Sequence, residues 1–521
     1  MSGDSSERAG SSRHNIVANL LLSVLGTAVG IGGQLLSVPV FLRSWGESVY
    51  GDWLTLSALA AYLALTDAGM QLYVVNRLTA EEVREQTDGF LKTLHSALLL
   101  YLTASCIAIT GLLGVVYLLP WKVWFTGRAI AAEIVRPTVL LLGAGVIAAV
   151  WCGFAASLHR AHGRAHRTTA IGVVTRTASL VATISALLFG LNILELAALQ
   201  LCVPVLCLIW SVFDYRRLYR RPILSLKHAE WRVARSMIAP SGLFALVSMA
   251  NGIVIQGSIL VVSSMLGPLA VTTFATSRTL ANTVRQGVAL LHSVAWPEFT
   301  RLQARGADTA LSSAHRLLVK LSAVSALWVV CSLWFNLHEI FQIWTGKQSS
   351  FNQPLLRLLL IHALLQTPWW TSAVLLTATN HHRRLAYLFV AQGILTLAVT
   401  PVAVHFLGVT GIGAAALLID IPVFAYLVPA WSQEMLGEER ARYFPDIYGG
   451  LAVILSAMLV ITWLLNMVTP AGFVAVPITI AVTSVPAAIG GLLWLRPDER
   501  ALATMAIAKQ LVRFRRAPSV S

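Results

Sequence analysis

Charge is what this chain has least of. Only 12% of its 521 residues are charged, against 57% hydrophobic residues and a mean hydropathy of +0.73. A soluble protein of this length could not cover so much apolar surface. Cysteine is also scarce. Cys106, Cys152, Cys202, Cys207 and Cys331 all lie in apolar stretches, and no pair has metal or redox spacing. They read as small buried hydrophobes. A Gly-Lys-Ser/Thr phosphate loop is missing, which excludes a P-loop ATPase. His338-Glu339-Ile340-Phe341-Gln342 fails the zinc-protease pattern at its last position. His159, His162 and His166 have ligand-like spacing without a nearby carboxylate or thiol, and read as part of a basic loop. No nucleophile, base and orienting acid assemble, so neither an enzyme nor a metal or cofactor site is expected.

Long apolar runs are what the chain does have. Crossing a bilayer as a helix takes roughly 20 apolar residues. The expected spans are 15–42, 50–75, 93–119, 137–158, 168–190, 193–213, 238–265, 269–294, 317–337, 354–379, 384–406, 409–431, 447–468 and 472–495. Miscounting at 184–213 and 400–431 would lower the number, so the range is 12 to 14. The first run is about twice a signal-peptide core and lacks a small-residue cleavage site. It is expected to stay as a helix.

The net charge of +15 raises the question of nucleic acid, and its distribution answers it. About 29 of the 38 Lys and Arg fall on the side of the N-terminus, whereas Arg43, Lys122, Arg128, Arg136 and Lys347 fall opposite. This is the positive-inside bias. It predicts a multi-pass membrane protein with both termini cytoplasmic and no nucleic-acid partner. External loops are turns such as Gly267–Pro268, leaving no room for an external domain. The basic segment DYRRLYRRPILSLKHAEWRVARS (214–236) divides the chain and is expected to lie on the membrane as a short amphipathic helix.

The two halves resemble each other at an offset of 221 residues. SWGESVYGDWLTLS (44–57) aligns with MLGPLAVTTFATSR (265–278), Gly46 with Gly267 and Trp53 with Phe274. A small or polar stripe precedes each: Asn19, Ser23, Gly26, Gly30, Gln34 and Ser37, then Ser241, Ser248, Gly252 and Gln256. The simplest organisation is an N-tail (1–14), a first six-helix lobe (15–213), a basic linker (214–237), a second six-helix lobe (238–431), two further helices (432–495) and a basic C-tail (496–521). Transporters are often built from such repeats, with the substrate path between them.

Within the spans each charge is a functional candidate, because an Arg near a helix centre costs about 2.5–3.5 kcal/mol on insertion scales. Arg278, Asn282 and Arg285 stand at i, i+4 and i+7 and share one helix face. They read as a cationic wall for phosphate, whose oxygens a guanidinium binds bidentately. Snorkelling of Arg285, or a pair with a carboxylate such as Asp67, is the structural alternative. Arg176 lines a cavity or snorkels, and Arg357 sits near an interface. Asp67 and Asp420 are ion or proton sites, or ion-pair partners. His362, Gln366, Trp369 and Trp370 stack on a sugar, or pack where Pro368 kinks the helix.

YGDWLTLSALAAYLALTDAGMQLYVVN (50–76) resembles the N-terminal block of the polysaccharide flippases, through Tyr50, Gly51, Trp53, Leu65, Asp67 and Gly69. WPEFTRLQARGAD (296–308) resembles their second-half segment, through Pro297, Phe299 and Thr300. The resemblance implies an all-α fold of the multidrug/oligosaccharidyl-lipid/polysaccharide exporter kind: two pseudo-symmetric six-helix lobes around a central cavity. It further implies flipping of a polyprenyl-diphosphate-linked oligosaccharide for O-antigen, capsule or exopolysaccharide. Membrane lipids and the polysaccharide polymerase or export machinery would be partners, and coupling could use Na+, H+ or the membrane potential. Such flippases carry cavity arginines, but the cluster of the lipid II flippases has no match here, since the first span holds no Arg. Rival readings are a drug/cation antiporter of the same fold, a lipid II-type flippase, a membrane glycosyltransferase or polymerase, and a scaffold.

Overall fold

The computed structural model describes residues 3–505 apart from 68, 126, 221–222 and 469–474. Most of the expected C-tail (506–521), and the turn expected between the last two spans, lie outside the described residues. So does the side chain of Ser241 in the second stripe.

The described residues form helices and the turns that join them, with no strand among them. In order, the helices are α1 (Gly3–Ala61), α2 (Met70–Val83), α3 (Thr87–Leu118), α4 (Trp121–Trp124), α5 (Ala132–Ala161), α6 (Ala165–Leu188), α7 (Ile193–Tyr219), α8 (Trp231–Gly252) and α9 (Ser258–Leu266). There follow α10 (Pro268–Ala304), α11 (Asp308–Trp334), α12 (Leu337–Thr345), α13 (Gln353–Ala378), α14 (Arg383–Leu407), α15 (Thr410–Leu436), α16 (Arg440–Phe444), α17 (Gly450–Val468) and α18 (Ala475–Trp494). Only helices satisfy every backbone group within one apolar segment, which is why these runs take this form.

Twelve runs are long and apolar enough to cross a membrane. One of them, Leu21–Val83, has 63 residues and room for two passes. Helix α10 is not among the twelve, because Arg278, Arg285 and many hydroxyls dilute it. With these two considered, the architecture agrees with about 14 passes.

Three details depart from the sequence reading. The second span is not one helix: α1 tightens into a 3-10 turn over Tyr62–Thr66, and α2 starts only after Gly69 at φ 75°. Asp67 sits in this break. Its amide donates to the Ala64 carbonyl at 3.2 Å, and its own carbonyl accepts from the Met70 amide at 2.7 Å. The seventh span carries a π-turn at Ile253–Gly257. The linker is not an amphipathic helix: α7 absorbs its first residues, Arg220 takes a left-handed conformation at φ 53°, and helix resumes only at Trp231.

The aligned glycines adopt the same uncommon backbone. Gly46 has φ 73° and ψ 175°, and Gly267 has φ 80° and ψ −174°. This region is open essentially to glycine alone. Each glycine ends one pass and starts the next, with a buried aromatic, Trp53 or Phe274, seven residues on. The two aligned turns therefore share one backbone form.

The chain packs as two compact units. The first comprises residues 1–276, 348–350 and 386–409; the second comprises 277–347, 351–385 and 410–521. In the first, α5 packs along α7, and α6 along α1. Asn19 accepts from the Thr169 hydroxyl at 2.6 Å, so the polar stripe of α1 faces α6. In the second, α13 packs on α15 and α11.

Candidate functional site

The candidate site of the second unit is built on α10, α13 and α15. Arg278, Asn282 and Arg285 follow one face of α10. Arg278 and Asn282 are half-buried, and Arg285 is exposed. The Arg285 guanidinium carbon lies 5.6 Å from the ring centroid of Trp370 on α13. Attraction from the Asp420 carboxylate on α15 also reaches Arg285. Asp420 is buried and accepts from His362 Nε2 at 2.6 Å.

Below this group α10 is tied to α13 about every second turn. His292 Nε2 lies 2.9 Å from the Thr371 hydroxyl, and the Thr300 hydroxyl donates to the Ala378 carbonyl at 3.1 Å. Gln366 stands one turn from both His362 and Trp370 on α13. It is buried, and its side-chain oxygen has no hydrogen-bond partner among the described residues. A buried amide oxygen of this kind costs about 1–3 kcal/mol unless a water or ligand supplies a donor.

The residues expected to meet a sugar separate here. Trp370 meets Arg285, His362 meets Asp420, and Gln366 stands between them on α13. Trp369 is 1% exposed; it packs at a tilt on Phe424 at 4.7 Å and meets Trp370 edge-on at 5.5 Å. Arg357 lies over the Trp334 ring at 5.2 Å, away from the group. Asp67, the sequence alternative as a partner for Arg285, lies in the first unit.

Asp67 and Arg176 belong to the first unit. Asp67 accepts from the Tyr101 hydroxyl, and among the described residues no Arg forms an ion pair with it. Tyr101 itself packs on Phe154 at 4.3 Å. Arg176 donates to the Gly26 carbonyl of α1 at 2.9 Å, which makes it a helix–helix tie.

Two charged clusters escaped the sequence reading. Arg128, between α4 and α5, donates to Asp52 of the Tyr-Gly-Asp-Trp motif at 3.1 Å and to Ser263 of α9. In the second unit, Arg316 binds Glu438, Asp498 and Glu499, while Lys320 binds Asp446 and Glu499. Burial acts to raise the Glu438 carboxyl, but bonds from Arg316 and Ser312 outweigh it and hold it below the usual range. A bond from Ser313, then one from Arg316, hold Asp498 low against its burial. The one available signal was Lys320 itself, a cation at the edge of an apolar run.

No family model matches the sequence, and no curated protein does either. Solved structures do match. One is an inward-facing multidrug resistance MATE family transporter of the MOP superfamily, with TM-score 0.62 and 16% identity over 78% of this chain and 94% of the other. An outward-facing structure of such a transporter gives 0.57 and 14%, over 82% and 96%. A MOP superfamily transporter from Pyrococcus furiosus, described as having a pocket of reverse polarity that suggests a different function, gives 0.57 and 15% over the same shares. The chain thus has the fold of these transporters, and its structural relatives are transporters rather than enzymes.

Proposed function

We propose that this protein is a flippase that moves a polyprenyl-diphosphate-linked oligosaccharide from the cytoplasmic to the external leaflet by alternating access. The observation that carries the reading is Arg285: a guanidinium on a long helix of this bundle, 5.6 Å from the ring centroid of Trp370. Arg278 and Asn282, along the same face, extend the site. A cation in a membrane-spanning helix is costly, and an anionic headgroup would offset the cost. Trp370, His362 and Gln366 would meet the first sugars. The polyprenyl tail would stay in lipid. The likeness to structures captured facing inward and outward supports the alternating mechanism.

The proposed setting is a bacterial inner membrane with both termini cytoplasmic, consistent with the placement of Lys and Arg. An anion leaving a negative interior gains about 2.3 kcal/mol per charge per 100 mV, so the potential alone can drive export. The products would pass to polysaccharide polymerase or export machinery.

A second reading has its own support. Two carboxylates, Asp67 under Tyr101 and Asp420 beside His362, would suit H+- or Na+-coupled drug antiport on the same fold.

Binding separates the two readings. Purified protein in lipid nanodiscs should bind undecaprenyl diphosphate, and Arg278→Ala with Arg285→Ala should weaken it about 10–100-fold, the loss expected for charge-assisted hydrogen bonds. Unchanged affinity in a well-folded double variant, together with binding of organic cations, would replace this reading with the antiporter.

A further inference from the structure

The turns around Gly46 and Gly267 do more than repeat; they pack on each other within the first unit. The Thr272 hydroxyl donates to the Glu47 carbonyl at 2.7 Å. A Cβ on Gly51 would lie 2.0 Å from the Pro268 carbonyl oxygen, so those backbones are in direct contact. With the offset of 221, Glu47 corresponds to Pro268, and Gly51 to Thr272. Each contact therefore joins the first position of one repeat to the second position of the other. Such reciprocity is the signature of a two-fold relation, here a pseudo-two-fold within one chain. A third tie comes from the Ser350 hydroxyl, which donates to the Glu47 carboxylate at 3.0 Å.

One element breaks this symmetry. Arg128 has no counterpart at position 349, which is Ser349. Its guanidinium enters between the two repeats, with Nη1 3.1 Å from Asp52 Oδ1 and 2.9 Å from the Ser263 hydroxyl, and Nη2 2.8 Å from the Ser263 carbonyl. Asp52 has no exposed surface. The Ser263 carbonyl is among the last four of α9, which lack partners within the helix and favour a cation. The Thr55 hydroxyl donates to the Ser263 hydroxyl at 3.0 Å, closing the group. Phe125 covers the guanidinium from one side at 4.8 Å. A buried charge pair with its bonds satisfied is costly to break by halves, and it sits on contacts that are otherwise backbone packing and single hydroxyls.

We propose that Arg128, Asp52 and Ser263 form the external latch of the transport cycle. The latch holds the two repeat turns together while the protein is closed to the outside, and it separates when the external face opens. This rests on the transporter reading and on the orientation given above, in which these turns are external. Arg128 is then a gate residue that never contacts the cargo. Asp52, at the open position between Gly51 and Trp53, serves the gate rather than the substrate.

The test reads opening without any transported molecule. In a background with the five native cysteines replaced, Ile259→Cys places a thiol one turn below Ser263 on α9, at a buried position. Intact cells are treated with a membrane-impermeant maleimide. Labelling should be slow with the latch intact and on the order of ten-fold faster or more with Arg128→Ala or Asp52→Asn, the scale of a broken buried pair. Arg128→Lys, a point charge without the fork, should fall between. Size-exclusion profiles select the variants that fold. Equal rates in all folded variants would overturn the latch.

A second arm uses Thr55→Cys with Ser263→Cys, oxidised by copper–phenanthroline. Transfer of the lipid-linked glycan should stop and return on reduction. Full transfer through the cross-linked protein would also overturn the latch. Faster labelling without Arg128, in a protein whose unmodified form transfers no such glycan, would keep the latch and reject the substrate.

Discussion

A guanidinium in an apolar span persists only with compensation, and Arg285 has two forms of it. Trp370 offers its ring face, and Asp420 offers charge. A carboxylate that acts on Arg285 would compete with an incoming phosphate. Asp420→Asn should tighten binding of a polyprenyl diphosphate several-fold, on the scale of one partly screened charge pair, measured in nanodiscs beside wild type. Weaker binding would make Asp420 a positioning residue instead. The arginines were legible because cations in an apolar run stand out, and the i, i+4, i+7 spacing placed them on one face. The Asp420–His362 bond was not legible, since it joins residues 58 apart on different helices. Nor could spacing tell Trp369 from its neighbour: one turned into the core and the other towards Arg285.

At the scale of elements, the sequence showed where helices run better than where they break. Asp67 looked like a charge inside a continuous span, yet it occupies a gap between a 3-10 turn and α2. The signal was Gly69, which local pattern alone could not distinguish from a packing glycine. The repeat was legible through Gly46 and Gly267, whose shared backbone only glycine tolerates. Gly51 gives a direct check on the turns they make. Gly51→Ala should lower the melting temperature in detergent by several degrees, with loss of folded yield, because the Pro268 carbonyl must retreat. Gly32→Ala, with nothing within 4 Å of the new methyl, should be neutral or stabilise α1 by about 0.5–1 kcal/mol. Equal effects at the two sites would contradict the close approach of the repeats.

At the scale of the molecule, the order of elements in sequence does not dictate packing. Helices α8 and α9 and most of α14 join the first unit, although they follow the linker that divides the chain. No hydropathy pattern carries that information. The last helices are held to the second unit by charge, through Arg316 and Lys320. Glu438 and Asp498 titrate lower folded than unfolded, so their contribution is present above their ordinary values of 4.5 and 3.8 and fades as pH falls below these. Asp498 is nearly half exposed and adds the smaller part. Melting temperature should therefore drop between pH 6 and pH 3, and Glu438→Gln should flatten part of that drop. An unaltered profile would remove the network from the stability of this end.

The central claim is that a cationic face moves a lipid-linked diphosphate glycan outward. The most direct measurement is leaflet-specific labelling of that lipid in cells lacking the gene. The account predicts accumulation on the cytoplasmic leaflet, relieved by wild-type protein but not by equal amounts of Arg278→Ala with Arg285→Ala. Normal external glycan in the deleted cells, or full rescue by the double variant, would contradict it.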